Sequence, residues 1–110
     1  MLRRSVVLAF MLATTPALAA GYLSGDKLSD TLSGKTFIWP DKTVSTYARG
    51  GGYRWEGTTK LEGTWRVQGN QICVTYSSGA QRCDKFVYSG NELQLENAEG
   101  KRFRAEEAPR

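Results

Sequence analysis

Residues 71–88 read QICVTYSSGAQRCDKFVY and predict a β-hairpin whose arms carry both cysteines of the chain. The turn Ser77-Ser78-Gly79 suits a three-residue loop, because its last position needs a left-handed backbone that glycine adopts without strain. That register places Cys73 opposite Cys83, at a pair whose Cα atoms lie about 4.5 Å apart. This distance is at the short end of the range that a disulfide accepts.

The cysteine pair is predicted to be a structural disulfide. An even pair of cysteines in a small domain of an oxidising compartment favours this bond. The alternative is a redox site or thiol switch, but the spacing is not Cys-x-x-Cys and no histidine is present to lower a thiol pKa. Because the whole chain has two cysteines and no histidine, we predict no metal and no cofactor.

The hairpin register contains one conflict. It sends a set of apolar residues to one face, as a core requires: Ile72, Val74, Tyr76, Phe86 and Tyr88. It also places Arg82 and Asp84 on that face. Either the two charges lie at the rim of a barrel, or a bulge between Cys83 and Phe86 resets the alternation.

Short β-rich runs separated by turn residues continue on both sides of the hairpin. The predicted strands are 35-39, 43-49, 53-57, 61-68, 71-76, 80-88, 92-97 and 101-105. Connections this short force antiparallel neighbours. We therefore predict an all-β fold, an up-and-down meander of about eight strands in a small closed or nearly closed barrel. A two-sheet sandwich is the alternative, and a barrel of about 70 residues is expected to be filled by side chains.

One short helix precedes the strands. Ser24 is the predicted cap of a helix over Gly25 to Leu32, which has Leu28 and Leu32 on one face and ends at Gly34. The predicted organisation is a signal peptide over 1–20, a single β domain over 21–105 and a flexible C-terminal tail over 106–110.

The first 20 residues have the pattern of a bacterial signal peptide. Arg3 and Arg4 precede the apolar run 6–13, and the small residues that follow fit cleavage after Ala19 or Ala20. A retained anchor is the alternative, but the run is shorter than the roughly 20 residues that span a bilayer. We therefore predict a soluble periplasmic or secreted protein without an integral membrane span.

The charge of the mature chain argues against a nucleic-acid partner. Removing Arg3 and Arg4 from the 15 Lys and Arg leaves 13 against 11 Asp and Glu, a net charge of +2. Nucleic-acid binders need clustered cations that neutralise several phosphates.

No residue set in the sequence indicates catalysis. Histidine, the commonest proton shuttle, is absent, so neither a Ser-His nor a Cys-His pair can form. The carboxylates lie in turns or in alternating strand positions, where exposure to solvent is the norm. We predict that the protein is not an enzyme, with a glycosidase-like carboxylate pair as the open alternative.

The stretch 47–55 is the first candidate binding surface. Its three glycines permit close approach of a partner, and aromatic and arginine side chains are enriched at binding hot spots. The candidate residues are Tyr47, Arg49, Tyr53, Arg54 and Trp55. Under the alternative interpretation, this is a hairpin loop with its aromatic residues on the inner face. Trp39-Pro40-Asp41 is a second candidate surface, with Trp39 as a core residue under the alternative.

Several short motifs resemble those of small exported bacterial β-barrel proteins of unknown function. These are Ser33-Gly34-Lys35-Thr36, Gly63-Thr64-Trp65, the paired cysteines, Leu93-x-Leu95 and Gly100. At a greater distance, the Gly-x-Trp triplet is similar to that of lipocalin-like barrels, which implies a small apolar ligand. The motif order is also similar to that of periplasmic metalloprotease inhibitors, which implies insertion of the N-terminal segment 21–24 into a protease.

We therefore expect a non-enzymatic envelope or secreted binding protein. Its partner is predicted to be a protein or a small ligand of the envelope. The alternatives are an inhibitor of a secreted metalloprotease and a carrier of a small apolar ligand. The sequence does not specify an oligomeric state.

Overall fold

A computed structural model describes residues 21–109, which form one helix and nine strands. The elements are α1 (Gly25–Leu32), β1 (Lys35–Ile38), β2 (Val44–Tyr47), β3 (Gly52–Glu56), β4 (Lys60–Gln68), β5 (Gln71–Tyr76), β6 (Gln81–Ser89), β7 (Glu92–Glu96), β8 (Arg102–Arg104) and β9 (Glu106–Glu107). The predicted signal peptide, 1–20, lies outside the described residues.

The strands form one antiparallel sheet that curls into a nearly closed barrel. Its order is β8-β7-β6-β5-β4-β3-β2-β1-β9, so every strand from β1 to β8 pairs with its neighbour in sequence. The predicted all-β meander is confirmed, and each of the eight predicted strands is present.

The two edges of the sheet are both paired with the same C-terminal segment. β8 pairs with β7, and after the buried Ala105 the chain continues as β9, which pairs with β1. The prediction that the domain ends at residue 105 and that 106–110 is a tail is wrong for Glu106 and Glu107. Two consecutive glutamates are typical of a solvent-exposed tail. The backbone N–H and C=O groups at the edge of β1, however, can pair with a strand whatever its side chains are.

Deleting residues 106–110 should therefore destabilise the barrel. The deletion removes the pairing with Phe37 and Ile38 and the 2.8 Å hydrogen bond from Ala108 N to Thr36 O. Two or three lost backbone hydrogen bonds amount to about 1–3 kcal/mol. Thermal unfolding followed by circular dichroism should show a clear fall in Tm, whereas a deletion of 109–110 should leave Tm in place. Equal Tm values for the two deletions would show that β9 does not contribute to closure.

The cysteine hairpin has the predicted register. Cys73 pairs with Cys83, Val74 with Arg82 and Thr75 with Gln81. The two cysteines form a disulfide with a Cα–Cα distance of 4.1 Å. The bond is consistent with an oxidising compartment.

The hairpin continues without a bulge between Cys83 and Phe86. Asp84 still pairs with Ile72 on β5, and Lys85 pairs with Glu96 on β7. Arg82 and Asp84 therefore stay on the inner face, and both line a cavity at one end of the barrel. Of the two alternatives for these charges, the rim of the barrel is the one observed.

Aromatic side chains fill the middle of the barrel. Phe37 and Phe86 are completely or almost completely buried, with ring centroids 6.0 Å apart. The ring of Tyr47 packs on both and also lies 5.8 Å from the ring of Trp65. These side chains belong to one continuous hydrophobic core, against which the strands pack.

The helix covers one end of this core. Leu28 and Leu32 are fully buried, as their shared face predicts. Gly25 N donates to Gly69 O in the β4–β5 turn, and Gly34, with φ 78°, donates to Tyr47 O at the end of β2. Ser24 occupies the N-cap position, but its side chain makes no capping hydrogen bond. Within residues 21–109, no helix is long and apolar enough to cross a membrane.

Candidate functional site

A cavity of about 440 Å³ lies inside the barrel at the end opposite α1. Alternate turns of a meander lie at opposite ends, and the β1–β2 turn contributes to this cavity whereas the β4–β5 turn contacts the helix. We call this cavity the barrel pocket. Its lining residues are Trp39, Pro40, Asp41, Thr43, Ser45, Tyr47, Tyr53, Trp55, Leu61, Ile72, Val74, Tyr76, Arg82, Asp84, Leu95 and Phe103.

Apolar side chains make most of the wall of the barrel pocket. Trp39 and Trp55 pack against the core cluster from the pocket side, and the Tyr53 and Tyr76 rings meet edge to face at 6.0 Å. Leu61 on β4 and Phe103 on β8 are 42% and 36% exposed. The barrel pocket is therefore an aromatic cavity with large apolar side chains open to solvent.

A short hydrogen-bond chain fixes three side chains of the wall. Trp39 Nε1 donates to Ser45 Oγ over 2.8 Å, and Ser45 Oγ shares a 3.0 Å hydrogen bond with the Tyr53 hydroxyl. Burial raises the pKa of Tyr53 to about 12, although its bond with Ser45 acts in the opposite direction. The Tyr53 hydroxyl is thus protonated at neutral pH and available only for hydrogen bonding.

Arg82 and Asp84 form a two-pronged ion pair on the pocket side of β6. Arg82 Nε and Nη2 each donate to one carboxylate oxygen of Asp84, both over 2.8 Å. Asp84 is only 6% exposed, whereas the Arg82 side chain is about half exposed. The hydrogen bonds that Arg82 donates to the Asp84 carboxylate raise the pKa of Arg82 further above its usual value. Arg82 therefore keeps its positive charge, and Asp84 balances that charge within the ion pair.

The β1–β2 turn holds Trp39 at the edge of the barrel pocket. Thr43 donates to Asp41 Oδ1 through both its backbone N and its hydroxyl, and these bonds lower the pKa of the Asp41 carboxyl. Trp39 N donates to Thr43 O over 2.9 Å, and Lys42 takes a positive φ of 75° between them. The turn is thus held by its own side chains.

The structure divides the predicted binding residues into two groups. Tyr47, Tyr53 and Trp55 line the barrel pocket. Arg54 points away from it and lies 3.6 Å from the Glu56 carboxylate on the outer surface. Arg49 lies against Gly34 beside the helix, at the other end of the barrel. Arg54 lies outside because successive side chains of a strand point to opposite faces. Arg49 lies at the helix end because it belongs to the β2–β3 turn.

The second predicted surface, Trp39-Pro40-Asp41, belongs entirely to the barrel pocket. Sequence reasoning missed Ser45, Leu61 and Phe103, because isolated residues of these types give no signal without the barrel geometry. The two charges at 82 and 84 did give a signal, since their inward register conflicts with a purely apolar interior. The conflict thus indicated that charged side chains lie in the wall of the barrel interior, where Arg82 and Asp84 are found.

The Gly63-Thr64-Trp65 triplet does not line the barrel pocket, although Gly63 pairs with the pocket residues Tyr53 and Tyr76. Trp65 Nε1 donates to Ala48 O over 2.8 Å, which ties β4 to the β2–β3 turn at the helix end. Neither Gly63 nor Trp65 is among the pocket residues. Trp65 therefore has a structural role at the helix end of the barrel.

Across residues 21–109, no three Asp, Glu or Cys side chains converge in the manner of metal ligands. No protein-family model matches the chain, and comparisons with curated proteins and with solved structures find no match. A functional proposal therefore depends on the geometry of the barrel pocket.

Proposed function

We propose that this chain is an exported, non-enzymatic protein that binds a small and mainly apolar molecule in the barrel pocket. The observation that carries the proposal is the position of Leu61 and Phe103. They are the two exposed large apolar side chains of the pocket lining, among three such residues in the part of the chain that the structure describes. Apolar surface at the entrance of an aromatic cavity is what an apolar ligand would cover.

The dimensions of the barrel pocket suit this role. Ligand pockets in proteins measure about 300–1,000 Å³ and are lined mainly by hydrophobic and aromatic side chains with a few polar groups. The cavity of about 440 Å³ falls in this range. Its polar groups are few and already positioned, because Ser45, Tyr53 and the Arg82–Asp84 pair are held by hydrogen bonds. The cavity is thus formed before any ligand enters.

The titratable groups of the barrel pocket support binding over catalysis. Arg82 and Asp84 are tied to each other, and Tyr53 stays protonated far above neutral pH. A general acid or base works best when its pKa lies near the operating pH. The pocket offers positioned hydrogen-bonding groups, which serve recognition.

The inhibitor alternative receives less support from the N-terminal segment. Leu23 is buried and its backbone N donates to Phe86 O over 2.9 Å, and Tyr22 forms an antiparallel bridge with Val87. This segment would have to leave β6 before it could enter a protease cleft. The proposal of a ligand carrier needs no such rearrangement.

Titration with the neutral fluorescent probe N-phenyl-1-naphthylamine tests the proposal. We expect saturable binding at one site, and we expect the double variant Leu61→Ser/Phe103→Ser to weaken it at least tenfold. Loss of contact with two apolar side chains has an effect of about this size. Tyr88→Ser is the matched control, because Tyr88 is 44% exposed but lies outside the pocket lining. Absence of saturable binding, or equal weakening by the control, would contradict the proposal.

A further inference from the structure

We infer that the barrel pocket selects ligands whose polar end is uncharged and both donates and accepts hydrogen bonds, as a primary amide does, and that the Arg82–Asp84 pair makes the selection. The inference rests on the proposed ligand-binding function and specifies its ligand class. The Arg82–Asp84 pair is the one ion pair that faces this mainly apolar cavity.

The pair keeps free hydrogen-bonding capacity on both partners. A guanidinium carries five N–H donors and a carboxylate about four acceptor sites. Arg82 donates to Asp84 through Nε and Nη2, one hydrogen to each carboxylate oxygen. Both hydrogens of Nη1, the second hydrogen of Nη2 and the remaining acceptor sites of the carboxylate are therefore left for a ligand. Donors and acceptors lie side by side, which matches a group that offers both.

The charge balance of the barrel pocket disfavours ionised ligand groups. Arg82 and Asp84 compensate each other, and the third charged residue of the lining, Asp41, is exposed and bonded to Thr43. A carboxylate or ammonium group entering beside the pair would lose its hydration without gaining an unpaired counter-ion. A neutral polar group loses less hydration and can satisfy the same donors and acceptors.

The aromatic wall defines the rest of the ligand. The rings of Trp39, Trp55 and Tyr53 line the cavity. On β5, Val74 lies opposite Arg82 and Ile72 lies opposite Asp84, and both also line the cavity. Flat apolar bodies pack well on such rings. The ligand class is therefore a planar or extended apolar body with a neutral amide-like end.

Four probes with the same ring test this selection: 2-naphthamide, 2-naphthoate, 2-naphthylmethylammonium and 2-methylnaphthalene. Their dissociation constants can be measured by quenching of tryptophan fluorescence, since Trp39 and Trp55 line the barrel pocket. We expect the amide to bind at least tenfold more tightly than each of the other three. A charged probe that binds as tightly as the amide, or an apolar one that does, would overturn the inference.

Variants of the pair should invert the preference. Asp84→Asn keeps the shape of the side chain but leaves Arg82 uncompensated, so 2-naphthoate should gain at least tenfold relative to the amide. Arg82→Gln leaves the Asp84 carboxylate uncompensated and should favour the ammonium probe instead. Arg54→Gln is the control, because Arg54 lies on the outer surface. It should leave the order of the four probes unchanged.

The outcomes distinguish selection by the Arg82–Asp84 pair from ligand binding itself. If the probes bind but Asp84→Asn leaves their order unchanged, the pair does not select the ligand and the binding function stands. If neither N-phenyl-1-naphthylamine nor any naphthyl probe binds, the binding function itself fails. Should Arg82→Gln not fold, the wild-type order and Asp84→Asn decide the question.

Discussion

Replacing Phe86 with alanine should lower the free energy of unfolding by about 3–5 kcal/mol. Phe86 is completely buried, and its ring lies 6.0–6.4 Å from the rings of Phe37, Tyr47 and Trp39. Removing it takes away the transfer free energy of the ring and leaves a cavity among side chains that are already fixed on β1, on β2 and in the turn between them. Urea denaturation followed by circular dichroism measures the loss.

Tyr88→Ala is the matched control for Phe86→Ala. Tyr88 lies two residues further along the same strand, faces the same side and is 44% exposed, so its truncation should lower stability by less than half as much as that of Phe86. A loss below about 1.5 kcal/mol for Phe86→Ala would show that the barrel core relaxes around the missing ring, contrary to the close packing of protein interiors.

Gly63→Ala should destabilise the barrel by about 2–3 kcal/mol, although it adds a single methyl group. A Cβ at this position would overlap the carbonyl oxygen of Thr75 and lie 2.8 Å from Tyr76 Cα. Both contacts are with backbone atoms of β5, so no side-chain rotation can relieve them. Glycine inside a strand marks such a close approach of two backbones.

Gly50→Ala is the control for Gly63→Ala. Gly50 has no atom within 4 Å of a built Cβ and does not have a positive φ, so alanine should be accepted there with little change in Tm. If the two variants have the same Tm, the approach of β4 and β5 at Gly63 is not a constraint. The expected difference would also explain the Gly-x-Trp triplet as a packing device, since Trp65 anchors the adjacent turn.

The hairpin of 71–88 was the most predictable part of the fold. Its turn residues, its cysteines and its hydrophobic alternation all require the same register, and Cys73 pairs with Cys83 as expected. Closure by β9 was not predictable, because a strand of two glutamates has no hydrophobic pattern and pairs through its backbone alone.

The burial of Val87, on the outer side of β6, was not predictable either. It depends on the N-terminal segment, which covers Val87 where Tyr22 pairs with it.

The candidate site was predictable in part. Alternation places Tyr53 and Trp55 on one face and Arg54 on the other, so the aromatic half of the predicted stretch reaches the barrel pocket and the cationic half does not. Leu61 and Phe103 belong to strands that are distant in sequence, and only the curvature of the sheet brings them to the same cavity. The strand count predicts that the sheet curves, but it does not predict which side chains of distant strands meet in the pocket.

The division of the barrel into two ends has a consequence for its adaptability. The helix and the Trp65–Ala48 bond hold one end, whereas the β1–β2 turn and the exposed stretch at Thr58 and Thr59 belong to the other. Insertions between Thr58 and Thr59 would lengthen the entrance without touching the core. The wall of the barrel pocket can thus be extended by changing loop length alone, as surface loops tolerate insertions far better than strands.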